Sequence, residues 1–138
     1  MATYTESTSR SKLVVLRPQI TRAFWSQRRA WQGAELKLYI ETRHIPDGTK
    51  FKVEIWEDGT DEGGDDEKIV EVDGSHEITK GRCEIEYTLA LDPDTLGSDL
   101  ELEGDDWELY FLVKFDKPEL TGRSGLLYVD LQPLIISI

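Results

Sequence analysis

The sequence predicts an all-β fold, an antiparallel β-sandwich of about seven to nine strands. Three observations lead there. Apolar residues recur at every second position in Ala34–Thr42, Gly48–Glu57, Arg82–Leu91 and Trp107–Phe115. Such a period of two marks a strand with one buried face. Turn signals, Pro46-Asp47-Gly48, Asp73-Gly74 and Lys80-Gly81, punctuate these stretches. No segment carries a long helical periodicity. Two long acidic loops and several tight turns suit sheets packed face to face rather than a closed barrel.

Residues 1–11 read as a flexible polar lead, and Lys12–Arg17 as a short edge or linking strand ended by Pro18. Residues 1–18 therefore form a linking segment and 19–138 one domain. Gln19–Ser26 alternates loosely. Gln27–Gln32 reads equally as one helical turn or a connection between strands. In Ala34–Thr42, Ala34, Leu36, Leu38 and Ile40 share the buried face. Gly48–Glu57 is the organising strand: Phe51, Val53 and Ile55 face in, Lys52, Glu54 and Trp56 face out. The stretch Glu57–Glu67 is a loop, and Lys68–Val72 and Ser75–Thr79 are short strands. Arg82–Leu91 turns Cys83, Ile85, Tyr87, Leu89 and Leu91 inward. After a second acidic loop, Asp92–Gly104, comes Trp107–Phe115. Both of its faces are apolar, which places it centrally in its sheet. Asp116–Gly125 reads as a loop, Leu126–Leu131 as a strand, and Leu134–Ile138 as another strand or its continuation.

The net charge of −12 hides a division. Residues 1–33 hold six bases against Glu6, and residues 34–138 hold 10 bases against 27 acids. A strongly acidic body repels nucleic acid and anionic membrane surfaces, so neither is an expected partner. No apolar run reaches the ~20 residues of a membrane-spanning helix. The opening MATYTESTSRSK lacks the apolar core of a secretory signal, which predicts cytoplasmic synthesis; export would use another route. The single cysteine, Cys83, excludes an intrachain disulfide and a cysteine-based zinc site, and on an inward face it behaves as a small hydrophobe.

Reactive constellations do not stand out. His44 and His76 sit beside turns without triad or metal-ligand companions in sequence, and both read as surface residues. The loop Glu57–Glu67 holds seven carboxylates and three glycines. A hard cation could be wrapped there, but the spacing follows no cation motif and a solvated hairpin loop is the simpler reading. Asp99, Glu101, Glu103, Asp105 and Asp106 form a second acidic patch of the same kind. Accordingly no catalytic residue, metal ligand or cofactor is expected.

The tryptophans carry more. Trp107 belongs to the core. Trp25 and Trp31 flank Arg28 and Arg29, and Trp56 lies on the outward face of its strand. Tryptophan beside arginine is enriched in protein-interface hot spots and also suits stacking on sugars. The alternative is that Trp25 and Trp31 seal the open edge of the sandwich. The contact candidates are thus Trp25, Arg28, Arg29, Trp31 and Trp56, with the apolar Leu134, Ile135 and Ile136 for strand pairing with another chain.

Four pieces of sequence together resemble a known family. They are Ala23-x-Trp25-Ser26 with Ala30 and Gly33; Ile45-Pro46-Asp47-Gly48-Thr49 leading into Val53-x-Ile55-Trp56-Glu57; Gly81-Arg82; and Glu108-Leu109-Tyr110-Phe111 followed by Arg123-Ser124-Gly125-Leu126-Leu127. The chain resembles, over about residues 19–131, immunoglobulin-like accessory domains of bacterial contractile injection and type VI secretion loci. It departs after Gly81-Arg82, where Cys83-Glu84-Ile85-Glu86-Tyr87 replaces the family's small-plus-tryptophan strand. The resemblance implies an immunoglobulin-like sandwich serving as a non-enzymatic structural subunit or adaptor, with a protein partner or self-association. A carbohydrate- or peptidoglycan-binding module and a calcium-stabilised sandwich are the alternatives.

Overall fold

A computed structural model describes residues 16–59, 65–90 and 107–130. Among these residues there are ten strands and no helix. The alternating stretches become β3 (Glu35–Arg43), β4 (Lys50–Glu57), β7 (Arg82–Thr88) and β8 (Trp107–Asp116). β1 (Gln19–Trp25), β5 (Glu67–Glu71), β6 (His76–Glu77) and β10 (Leu127–Asp130) also fall where the sequence predicts strand or alternating character.

Two strands lie where none was expected. β2 (Arg29–Trp31) occupies the stretch read as a helical turn or a connection. Three residues are too few for a period to be read, and it is pairing with β10 that makes them a strand. β9 (Glu119–Arg123) occupies the expected loop Asp116–Gly125. Pro118, Thr121 and Gly122 give it turn-like composition, yet it pairs residue for residue with β8, from Asp116↔Glu119 to Leu112↔Arg123. The ladder of a central strand overrides local propensity here. Of the expected strand Lys12–Arg17, Leu16 and Arg17 are not strand, and residues 12–15 lie outside the described residues, as do Leu91 and Leu134–Ile138.

Two separate sheets form, which is not a closed barrel. The small one has the order β1-β3-β7, and the large one β2-β10-β8-β4-β5, with β6 on β4 and β9 on β8. Pairing is antiparallel except for β2 and β10, which run parallel, so the large sheet is mixed rather than purely antiparallel. β8 is central, with β4 on one side and β9 and β10 on the other.

The inward faces meet in one core. Leu36, Leu38, Ile40 and Ile85 come from the small sheet; Val53, Ile55, Leu109, Phe111, Val113, Leu127 and Val129 come from the large one. Trp25 packs edge-on against Phe111 across the sheets, with ring centroids 5.1 Å apart. Its indole N–H donates to Gly125 O at 3.1 Å. Ser124 fixes the break between β9 and β10: its Oγ accepts from Phe111 N at 2.9 Å and donates to Gly125 O at 2.7 Å. At the far end, Phe51 lies against Phe115 and His76. His76 is buried, not on the surface as expected, and its Nε2 lies 3.3 Å from Val72 O. The turn before β4 needs Gly48, whose φ of 85° is left-handed. Gly48 N donates to Ile78 O, and Asp47 Oδ1 accepts from Lys80 N, which ties this turn to the β6–β7 connection.

Candidate functional site

The outer face of the large sheet gathers most of the residues of interest, in two regions built differently.

The central region is a closed ionic lattice. Register places Glu54 on β4 beside Leu112 on β8, and Trp56 beside Tyr110. Glu54 faces outward, as its place in the alternation predicts, yet it is only 7% exposed. Lys114 Nζ stands 2.9 Å from its Oε1 and Lys68 Nζ 3.2 Å from its Oε2, while Trp56 Nε1 donates to Oε1 at 3.0 Å. Burial alone would raise this carboxyl. The hydrogen bonds from Lys114, Trp56 and Lys68 outweigh it and hold the pKa at about 2. Next to it, Tyr110 donates its hydroxyl to Asp66 Oδ2 at 2.5 Å. The Arg123 guanidinium covers the Tyr110 ring at 3.7 Å. It also reaches Asp58 Oδ2 at 3.4 Å and Asp66 Oδ2 at 3.9 Å. Burial first, and then the hydrogen bond to Asp66, push Tyr110 up to about 12. Asp66 Oδ1 accepts from Gly59 N at 3.0 Å, so it clips together both ends of the first acidic loop. Residues 60–64 of that loop lie outside the described residues, as do residues 99–106 of the second acidic patch.

The edge region is open. On β2, Ala30 is buried, which turns Arg29 and Trp31 to the outer face. Register sets Tyr128 beside Arg29 and Asp130 beside Trp31. Trp31 is 61% exposed and Tyr128 37%. The Arg29 guanidinium stands 6.0 Å from the Tyr128 ring centroid. Arg28, also exposed, precedes β2 and accepts the Tyr128 N–H on its carbonyl. The result is an arginine, a tryptophan, a tyrosine and an aspartate along one sheet edge, with the exposed Arg28 immediately before them in the chain. The β2 backbone is partly used already. Arg29 O accepts from Gln27 Nε2 at 2.7 Å and Trp31 O from Ala34 N at 3.0 Å.

The expected contact residues therefore separate. Arg28, Arg29 and Trp31 come together at the edge. Trp25, only 7% exposed, belongs to the core, because its pairing with Leu38 on β3 turns it inward. Trp56 is half-buried and its indole N–H is committed to Glu54. Leu134, Ile135 and Ile136 lie outside the described residues. Tyr128 and Asp130 were missed: alternation along Leu126–Leu131 marks them as outward, but only the parallel pairing with β2 sets them beside Trp31.

A third place, an open cavity of about 420 Å³ beside β6 and β7, is lined by Tyr39, Glu41, Glu77, Arg82, Cys83 and Glu84 among others. Burial pushes the half-buried Cys83 thiol above its ordinary value, which makes it a poor nucleophile. No helix among the described residues is long and apolar enough to cross a membrane. In comparisons of sequence, no protein-family model and no curated protein matches this chain.

Proposed function

We propose that this protein is a non-enzymatic interaction module with an immunoglobulin-like architecture, docking a protein partner through the β2–β10 edge. The architectural part is supported by strand partition. The N-terminal stretch divides, with β1 in the small sheet and β2 in the large one, parallel to the last described strand. The reading is supported by a parallel: immunoglobulin domains hold their first, second and fifth strands in one sheet and their third, sixth and seventh in the other, as β1, β3 and β7 here lie apart from β4, β8 and β10. The setting proposed is an assembly role beside a bacterial contractile injection or secretion apparatus, and it rests on the four sequence pieces named above.

One observation carries the functional reading: Trp31, a large aromatic, stands exposed on a sheet edge beside Asp130, in a strand where Arg29 lies beside Tyr128. Tryptophan, tyrosine and arginine are the side chains that dominate protein contacts, because they combine apolar area with hydrogen-bonding ends. Two arginines favour an acidic partner. Within the central lattice, Glu54 at about 2 and Tyr110 at about 12 lie too far from neutrality to exchange protons there. Of the carboxylates in the first acidic loop, Asp58 and Asp66 already meet Arg123.

The test is a tryptophan-emission titration of the full chain with a glutamate-rich peptide, a soluble peptidoglycan fragment and calcium chloride in parallel. The peptide is expected to shift the emission, and Arg28→Glu with Arg29→Glu to abolish the shift. A response to the glycan fragment alone would replace this reading with a carbohydrate-binding one. A calcium response with no peptide response would overturn it as well.

A further inference from the structure

The two ends of the large sheet carry opposite charge. β2 forms one end; residues 28–32 hold Arg28 and Arg29, and the one acid set beside them is Asp130 on β10. β5 forms the other; residues 65–71 hold Asp65, Asp66, Glu67 and Glu71 against Lys68. Lys68 is turned to Glu54 and Asp66 to Tyr110 and Arg123. Asp65, Glu67 and Glu71 remain exposed. Apolar exposure, apart from Leu16 ahead of β1, marks the same two ends. The exposed large hydrophobic residues among those described are Leu16, Trp31, Val70 and Tyr128. Trp31 and Tyr128 mark the basic end, and Val70, 37% exposed, marks the acidic one.

We infer that the β2 end of one copy docks on the β5 end of a second copy, bringing Arg28 and Arg29 to the exposed carboxylates of Glu67 and Glu71. This names the partner of the edge patch and rests on reading that patch as a contact surface. Charge complementarity selects the occupant: like ends repel and unlike ends attract. The contact runs through side chains. The carbonyls of Arg29 and Trp31 already accept local N–H groups, and a register shift opposite Ile55 and Trp56 interrupts β5. Charged residues on both ends also oppose simple extension of the sheet by backbone pairing. Because each copy offers one end and receives at the other, the association is heterologous. It grows into a ring if the rotation closes and into an open chain if it does not.

The experiment is sedimentation velocity on the full chain over a range of concentrations, at low and at moderate salt. Two variants accompany it, Arg28→Glu with Arg29→Glu and Glu67→Lys with Glu71→Lys, each checked for folding by circular dichroism. The wild type is expected to gain mass with concentration and to lose it with salt. Each variant alone should associate at least about tenfold more weakly, and an equimolar mixture should regain association, since each reversed end then meets an opposite charge. A wild type that stays monomeric throughout, a β5-end variant that associates like the wild type, or a mixture that stays monomeric would overturn the inference. The glutamate-rich peptide titration, run on the same samples, separates the two failures. If the peptide still binds at β2, the edge patch stands and only the second copy is wrong; if it does not, the patch reading falls too.

Discussion

The centre and the edge of one sheet face use the same kinds of side chain to opposite ends. At the centre, Trp56 and Arg123 lie among Glu54, Tyr110, Asp58 and Asp66, and each charged or polar end finds an internal partner. At the edge, Arg29 and Trp31 lie beside Tyr128 and Asp130 with the indole largely in solvent. Residue type is therefore a poor guide to contact function. What separates the two regions is how far neighbouring strands cover the side chains, and a strand at a sheet end has neighbours on one side alone. The centre contributes stability, and the edge contributes a surface.

The sharpest contrast is between the two tryptophans six positions apart. Trp25→Ala removes a ring that bridges the sheets against Phe111, and should cost about 3–5 kcal/mol in urea unfolding. Trp31→Ala should leave stability within about 0.5 kcal/mol. It should nevertheless weaken binding of the glutamate-rich peptide roughly tenfold. Equal stability losses would erase the distinction between core and edge.

Next in size is the central lattice. Glu54→Gln removes the charge that two lysines and an indole converge on, and should cost on the order of 2–3 kcal/mol near neutral pH. The sign follows from a folded pKa below the unfolded one. The Glu54 contribution is fully present above about pH 4.5 and is lost as pH falls toward 2. In Glu54→Gln the acid limb of stability against pH should therefore be shallower than in the wild type, measured by urea midpoints from pH 7 to pH 2. An unchanged acid limb would mean the lattice is screened by solvent.

Smaller again is Arg123→Ala. This half-exposed guanidinium covers Tyr110 and meets two aspartates, and its loss should cost about 1 kcal/mol or less. It should loosen the base of the acidic loop, seen as faster amide exchange at Gly59, whose N–H is held by Asp66. Unchanged exchange there would show that Asp66 holds the loop without help from Arg123.

Strands with a long alternating pattern are legible in the sequence alone. Leu36, Leu38 and Ile40, then Phe51, Val53 and Ile55, and the double-faced Trp107–Phe115 all lie where period two places them. What escaped was whatever depends on a partner far along the chain. β2 exists because residues 128–130 lie beside it, and β9 because β8 offers a ladder. Trp25 and Trp31 have similar surroundings in sequence, and only the pairing of Trp25 with Leu38 sends one inward. Glu54 was legible as outward, but its burial under two lysines and a tryptophan was not. His76 looks like a turn residue until Phe51 is seen to cover it. Half of the edge site, Arg28, Arg29 and Trp31, could be named in advance; its β10 half needed the parallel register.

The most direct test of the central claim is a backbone-amide NMR titration of the full chain with the glutamate-rich peptide. The division into a closed centre and an open edge predicts that signals of Arg29, Trp31, Tyr128 and Asp130 move while those of Glu54, Tyr110 and Arg123 stay. Shifts centred on Glu54, Tyr110 and Arg123, with a silent edge, would contradict it.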